Sequence, residues 1–204
     1  MLVFGRYNKA VWFDYACPHS YIGLNRLADL ASSIELDIDY RPFLVRFNSP
    51  GFVEESVVPN NLAEAPEAGR RPPLYRSELG IVGMDTEPAS NRSVSTLSIH
   101  AATAYAKERG LDQSFFAAAS KEYWEMGTDL GNLYTIRRLS IASGLDWQEM
   151  WSQLESGSYH RLVLAHRETA IADGIVKTPS FKIGGKLHSG SLGFEELQTA
   201  VQAA

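Results

Sequence analysis

Cysteine is nearly absent from this chain: 204 residues carry one, Cys17. A single thiol excludes an internal disulfide framework and a cysteine-rich zinc site. Positive charge is also in the minority, with 19 Lys and Arg against 24 Asp and Glu and a formal charge of −5. No basic stripe interleaved with aromatics runs along the sequence, which argues against nucleic acid as a partner. Long apolar runs are missing, and none approaches the roughly 20 residues needed to span a bilayer. Met1 to Ala10 is polar and mixed, without the basic segment and apolar stretch of a signal peptide. The expectation is a soluble protein of a reducing cytoplasm with no membrane partner. His100, His160, His166 and His188 show no metal-ligand spacing, and His160 and His166 fall on different faces of a helix, so no metal site is expected. No phosphate-binding glycine loop and no Ser-His-Asp arrangement is evident. What the chain does have is 45% hydrophobic content, enough for a core or a core plus a subdomain.

The one thiol lies in Cys17-Pro18-His19-Ser20. An apolar run, Val11-Trp12-Phe13-Asp14-Tyr15, precedes it and reads as a strand. A helical run, Tyr21 to Leu30, follows it. Glu35 to Val45 predicts a second strand, where Leu36, Ile38 and Tyr40 alternate with Asp37, Asp39 and Arg41. Strand, helix and strand at this spacing imply parallel pairing with a right-handed crossover.

Residues 48–90 hold six of the nine prolines, which disfavours long helices there. Loops with short helical pieces, such as Leu74 to Leu79, are expected. From Ser93 to about Asp173 the apolar spacing turns helical. It predicts helices at Leu97 to Tyr105, Phe115 to Met126, Leu133 to Ser143, Asp146 to Leu154 and Tyr159 to Ala172, closed mostly by glycines. Ser180-Phe181-Lys182-Ile183 and Lys186-Leu187-His188-Ser189 flank Gly184-Gly185 and read as a tight hairpin. Phe194 to Val201 reads as a last amphipathic helix. The fold class is therefore α/β: a strand–helix–strand part over 8–47, a loop-rich connection and helical insertion over 48–173, and a strand–strand–helix part over 174–204.

That order is the thioredoxin topology split by an all-helical domain. The chain resembles the DsbA-like thioredoxin family, in its FrnE-like and 2-hydroxychromene-2-carboxylate isomerase-like branch. The carrying blocks are Phe13 to Gly23, His100 with Tyr105-Ala106, Gly127-Thr128-Asp129-Leu130, and Gly174 to Phe181 running into Gly184-Gly185-Lys186. The likeness is weakest over 48–90.

Pro18 suits the first helical turn, because its missing N–H costs nothing there. Cys17 then sits at the N-cap, where free backbone N–H groups and the helix dipole favour a thiolate. His19, if protonated, adds to that stabilisation. The bland alternatives are an inert packed cysteine and an exposed helix-start histidine. Ser20 stands where the dithiol pattern has its second cysteine. Its hydroxyl can donate to a Cys17 thiolate but cannot resolve a mixed disulfide. A serine substituted for cysteine to trap an intermediate would read the same way. The resemblance implies that Thr178-Pro179 is a cis peptide facing Cys17, with Thr178 backbone groups left to pair with substrate. Tyr21 and Trp124 are candidates to line a substrate pocket, although core packing accounts for most of the aromatics.

The expected activity is thiol–disulfide exchange through Cys17 alone, on a disulfide-containing or glutathionylated substrate. Pro18, His19 and Ser20 support the thiolate, and Thr178, Pro179, Tyr21 and Trp124 hold the partner. No cofactor is expected to be tightly bound. An external small thiol, glutathione or another of low molecular weight, would complete the cycle. Two other readings stay open. One is a glutathione-dependent isomerase or transferase, whose relatives carry serine where this chain has Cys17. The other is a non-catalytic accessory protein. The sequence leaves a homodimer open and names no substrate.

Overall fold

The structure, a computed structural model, describes residues 9–34, 36–45 and 95–204. The proline-rich stretch and the short helix expected at Leu74 to Leu79 lie outside these residues. The elements run β1 (Lys9–Phe13), α1 (Pro18–Ala31), β2 (Asp39–Pro42), α2 (Leu97–Lys107), α3 (Asp112–Met126), α4 (Leu133–Ala142), α5 (Trp147–Glu155), α6 (Ser158–Ala172), β3 (Ser180–Ile183), β4 (Lys186–Ser189) and α7 (Phe194–Gln202). The chain divides into two compact units, residues 1–45 with 166–204, and residues 46–165.

The first unit holds a sheet in the order β2-β1-β3-β4. β1 pairs in parallel with β2, Val11 opposite Tyr40, as a strand–helix–strand crossover requires. On its other edge β1 runs antiparallel to β3, with Val11 opposite Phe181. β3 and β4 form the hairpin expected around Gly184 and Gly185. Both glycines have positive φ, 56° and 82°, a conformation that a two-residue hairpin of this hand demands. Tyr21, Leu24, Leu27 and Leu30 recur every third position of α1 and are buried. Each buried leucine there stabilises the unit by about 1.5–3 kcal/mol. Ala10, Trp12, Phe43, Ala170 and Ile175 form a further apolar cluster.

Three expectations are corrected. β1 stops at Phe13 rather than Tyr15, because the chain turns at Asp14: the Cys17 N–H donates to the Asp14 C=O at 3.1 Å. β2 spans Asp39–Pro42, not the longer run from Glu35 to Val45: the Phe43 N–H still donates to the Phe13 C=O at 2.8 Å, and the chain then leaves the ladder, with the Val45 N–H turned to the Asp14 carboxylate at 2.7 Å. The change from helical to sheet-bearing unit falls at His166, inside α6, and not at 173/174. The second half of α6 is tied to the sheet: Arg167 Nε donates to the Leu44 C=O at 2.9 Å, and Ala170 packs with Trp12.

In the helical unit, α2 is buried on every side from Leu97 to Ala106, the mark of a central helix. Asn132 caps α4 by accepting from the Tyr134 N–H at 2.8 Å. Asp146 caps α5 by accepting from the Glu149 N–H at 3.0 Å.

Candidate active site

The thiol sits where the sequence expects it. Cys17 is the N-cap of α1, in extended conformation at φ −93° and ψ 114°, and Pro18 opens the helix. The Ser20 and Tyr21 N–H groups both donate to the Cys17 C=O, at 3.1 and 3.2 Å, closing the first turn on the cysteine itself. Cys17 is half-buried. Its S–H donates to the Thr178 C=O at 3.4 Å across 161 residues of sequence.

The Thr178–Pro179 peptide is cis, as the resemblance implies. The loop is held from both sides. The Gly190 N–H donates to the Pro179 C=O at 2.8 Å, and the Ser180 hydroxyl donates to the Lys177 C=O at 2.8 Å. Thr178 Oγ1 is buried and has no hydrogen-bond partner among the described residues. α1 comes close to this loop at Gly23, where an added Cβ would lie 3.2 Å from Phe181 Cζ and 3.3 Å from Pro179 Cγ. Glycine is what lets the helix approach at that distance. On α1, Arg26 Nη1 donates to the Leu192 C=O at 2.8 Å, fastening the helix to the segment after β4.

Of the expected site residues, the structure brings together Cys17, Pro18, Thr178 and Pro179. His19 lies in the first turn of α1, half-buried. Ser20 is 1% exposed, and its oxygen accepts from the Asp14 N–H at 3.4 Å. The serine bond that the structure gives is this one to the turn, with Ser20 as acceptor; no bond from its hydroxyl to Cys17 is among those of the described residues. Tyr21 and Trp124 are buried rings, 5% and 1% exposed, Tyr21 in the sheet unit and Trp124 edge-on to Tyr123 at 5.0 Å in the helical unit. Both behave as core.

Sequence reasoning missed Asp14. It is 1% exposed, and its carboxylate accepts from the Ala16 N–H at 3.1 Å and the Val45 N–H at 2.7 Å. The available signal was a lone carboxylate inside an apolar run, which has to find donors if it is buried.

The helical unit carries its own buried polar groups. Burial pulls His160 down to about 4, with Arg161 adding to the shift, and Ser98 Oγ lies 3.3 Å from its Nε2. Burial pushes Tyr159 up to about 12, reinforced by its hydrogen bond to Glu108. Among the described residues no three His, Cys, Asp or Glu side chains gather in a way that could hold a metal ion. No helix among them is long and apolar enough to cross a membrane.

Comparison with known proteins matches residues 10–202 to a DSBA-like thioredoxin domain. Among solved structures, a probable DsbA oxidoreductase from Streptomyces coelicolor is 20% identical, with a TM-score of 0.66 over 96% of this chain and 87% of that one. A 2-hydroxychromene-2-carboxylate isomerase is 14% identical, with a TM-score of 0.68 over 96% of this chain and 94% of that one. DsbA from Pseudomonas aeruginosa is 13% identical, with a TM-score of 0.54 over 98% and 83%. At these identities the likeness is one of fold. No curated protein sequence matches the chain.

Proposed function

The chain belongs to the DSBA-like thioredoxin domain family, a family of thiol–disulfide oxidoreductases, and on that premise we propose that it exchanges disulfides through Cys17 alone, with an external small thiol closing the cycle. The observation that carries the reading is the Cys17 sulfur held at the start of α1, 3.4 Å from the Thr178 C=O, while position 20 holds a buried serine engaged with Asp14. The positive end of the helix backs the sulfur, the setting in which a thiolate acts as nucleophile and leaving group.

The Cys17 thiolate attacks the glutathione sulfur of a glutathionylated thiol. The S–S bond breaks and the substrate leaves as its thiolate, leaving glutathione on Cys17. A second glutathione thiolate then attacks the glutathione sulfur of that mixed disulfide. It forms oxidised glutathione and returns the Cys17 thiolate. Each step makes one S–S bond and breaks one, so electrons balance. A reducing cytoplasm would supply the thiol.

The test is intact mass after treatment with oxidised glutathione. One glutathione should be retained on Cys17 and removed by reduced glutathione, and Cys17→Ala should retain none. A wild-type chain whose Cys17 alkylates but takes up no glutathione would sink the reading.

A glutathione-dependent isomerase is the second reading, favoured by the match to 94% of the isomerase chain at a TM-score of 0.68. Isomerase turnover that survives Cys17→Ala would favour it. Against it, Ser20 is buried and lies three positions after Cys17, where the isomerase relatives carry their serine.

A further inference from the structure

We propose that Asp14 is the positioning residue of the Cys17 thiol; the proposal rests on the exchange function above. Asp14 is a buried carboxylate at the end of β1, beside Phe13 and Tyr15, which pack edge to face at 5.5 Å. Left without donors, a buried carboxylate is strongly unfavourable. Here four of its polar functions meet backbone or side-chain partners around the cysteine. Oδ1 accepts from the Ala16 N–H at 3.1 Å, and Oδ2 from the Val45 N–H at 2.7 Å. Its C=O accepts from the Cys17 N–H at 3.1 Å, and its N–H donates to Ser20 Oγ at 3.4 Å.

These bonds join three segments: the corner that carries the thiol, the first turn of α1, and the chain leaving β2. The last of these is itself anchored. Leu44, next to Val45, accepts from Arg167 Nε at 2.9 Å, and the Arg167 guanidinium lies 5.6 Å from the Phe43 ring centroid. Asp14 is therefore braced against a fixed point. The brace needs a carboxylate: both oxygens face N–H donors, and an amide has one acceptor oxygen and sets its NH2 against the other donor. Charge-assisted bonds from backbone N–H to carboxylate are also stronger than neutral ones.

The consequence is directional. Asp14 fixes the backbone that enters Cys17, at the Ala16 and Cys17 N–H groups, and that backbone aims the sulfur at the Thr178 carbonyl. Disulfide exchange needs the three sulfurs in line, so it depends on that aim. Alkylation by a small reagent needs a thiolate and access, and depends on aim far less.

Asp14→Asn separates the two. Its reaction with oxidised glutathione should slow by about tenfold or more, as misplacement of a reacting group does. Its alkylation by iodoacetamide should change by less than about threefold. Amide hydrogen exchange at Ala16 and Val45 should accelerate by about tenfold, while Leu24 and Leu27 in α1 hold their wild-type rates. Should Asp14→Asn not fold, Ser20→Ala removes the acceptor for the Asp14 N–H and leaves both carboxylate bonds in place, and should slow the glutathione reaction more than it slows alkylation. Wild-type glutathione reactivity in the variants would overturn the proposal. So would a parallel change in both reactions that follows lost stability, which is what a merely structural residue would give. A wild-type chain inert to oxidised glutathione would overturn the exchange function instead. Amide exchange would then decide the brace alone: unchanged rates at Ala16 and Val45 would overturn it.

Discussion

The two units tie their segments together differently. In the sheet-bearing unit, beside the side-chain pairs Arg26 with Ser191 and Ser180 with Ser189, side chains reach across to the backbone of other segments. Asp14 takes the Val45 N–H, Arg26 gives to the Leu192 C=O, and Arg167 gives to the Leu44 C=O. In the helical unit the reach between elements is from side chain to side chain. Ser98 meets His160, Arg109 meets Glu149, and Arg138 meets Glu122. Side-chain-to-backbone bonds fix loops, where no ladder of regular hydrogen bonds does so. Side-chain pairs tie together helices whose backbones are already satisfied. The one thiol of the chain stands among bonds of the first kind, where loop geometry decides chemistry.

The contrast can be broken from either side, and the largest effect lies in the helical unit. Burial holds His160 neutral, at about 4 against 6.5 when free. Between those two pH values the unfolded chain binds a proton that the folded chain refuses. Stability is therefore complete above pH 6.5 and falls as pH drops through the window. The loss approaches about 3 kcal/mol by pH 4. Urea unfolding followed by far-ultraviolet dichroism should show it, and His160→Leu should flatten this part of the dependence. An equally steep loss in His160→Leu would assign the acid sensitivity elsewhere.

The next effect lies in the sheet unit. Gly23→Val places a branched side chain against Phe181 and Pro179, whose atoms stand 3.2 and 3.3 Å from an added Cβ. Overpacking of this kind costs about 1–3 kcal/mol. Because the crowded partner is the cis-proline loop, the glutathione reaction of Cys17 should slow as well. Destabilisation with an unchanged thiol rate would show that the loop tolerates the shift.

Much of this contrast was legible in the sequence. The helix starting at Pro18 follows from an N-cap residue, a proline and a run of spaced leucines. Gly184-Gly185 between two alternating tetrapeptides leaves little but a hairpin. The Thr178–Pro179 geometry came from the resemblance, since local sequence alone does not set a cis bond. What stayed hidden depends on partners far along the chain. Asp14 reads as one more strand residue until Val45, 31 positions away, supplies its donor. The boundary at His166 falls inside a helix of unbroken periodicity, so no composition change marks it. Tyr21 and Trp124 have the same aromatic chemistry whether they line a pocket or fill a core, and only their burial separates the two.

The most direct test of a one-thiol mechanism is to supply the second thiol. Position 20 lies in the same helical turn as Cys17, its N–H bonded to the Cys17 C=O at 3.1 Å. Wild type and Ser20→Cys are each treated with oxidised glutathione and weighed intact. The account predicts that wild type keeps one glutathione. In Ser20→Cys, the new thiolate attacks the Cys17 sulfur, expels glutathione and leaves an internal disulfide with nothing retained. A wild-type chain that keeps no glutathione, or a Ser20→Cys chain that keeps it as wild type does, would contradict it.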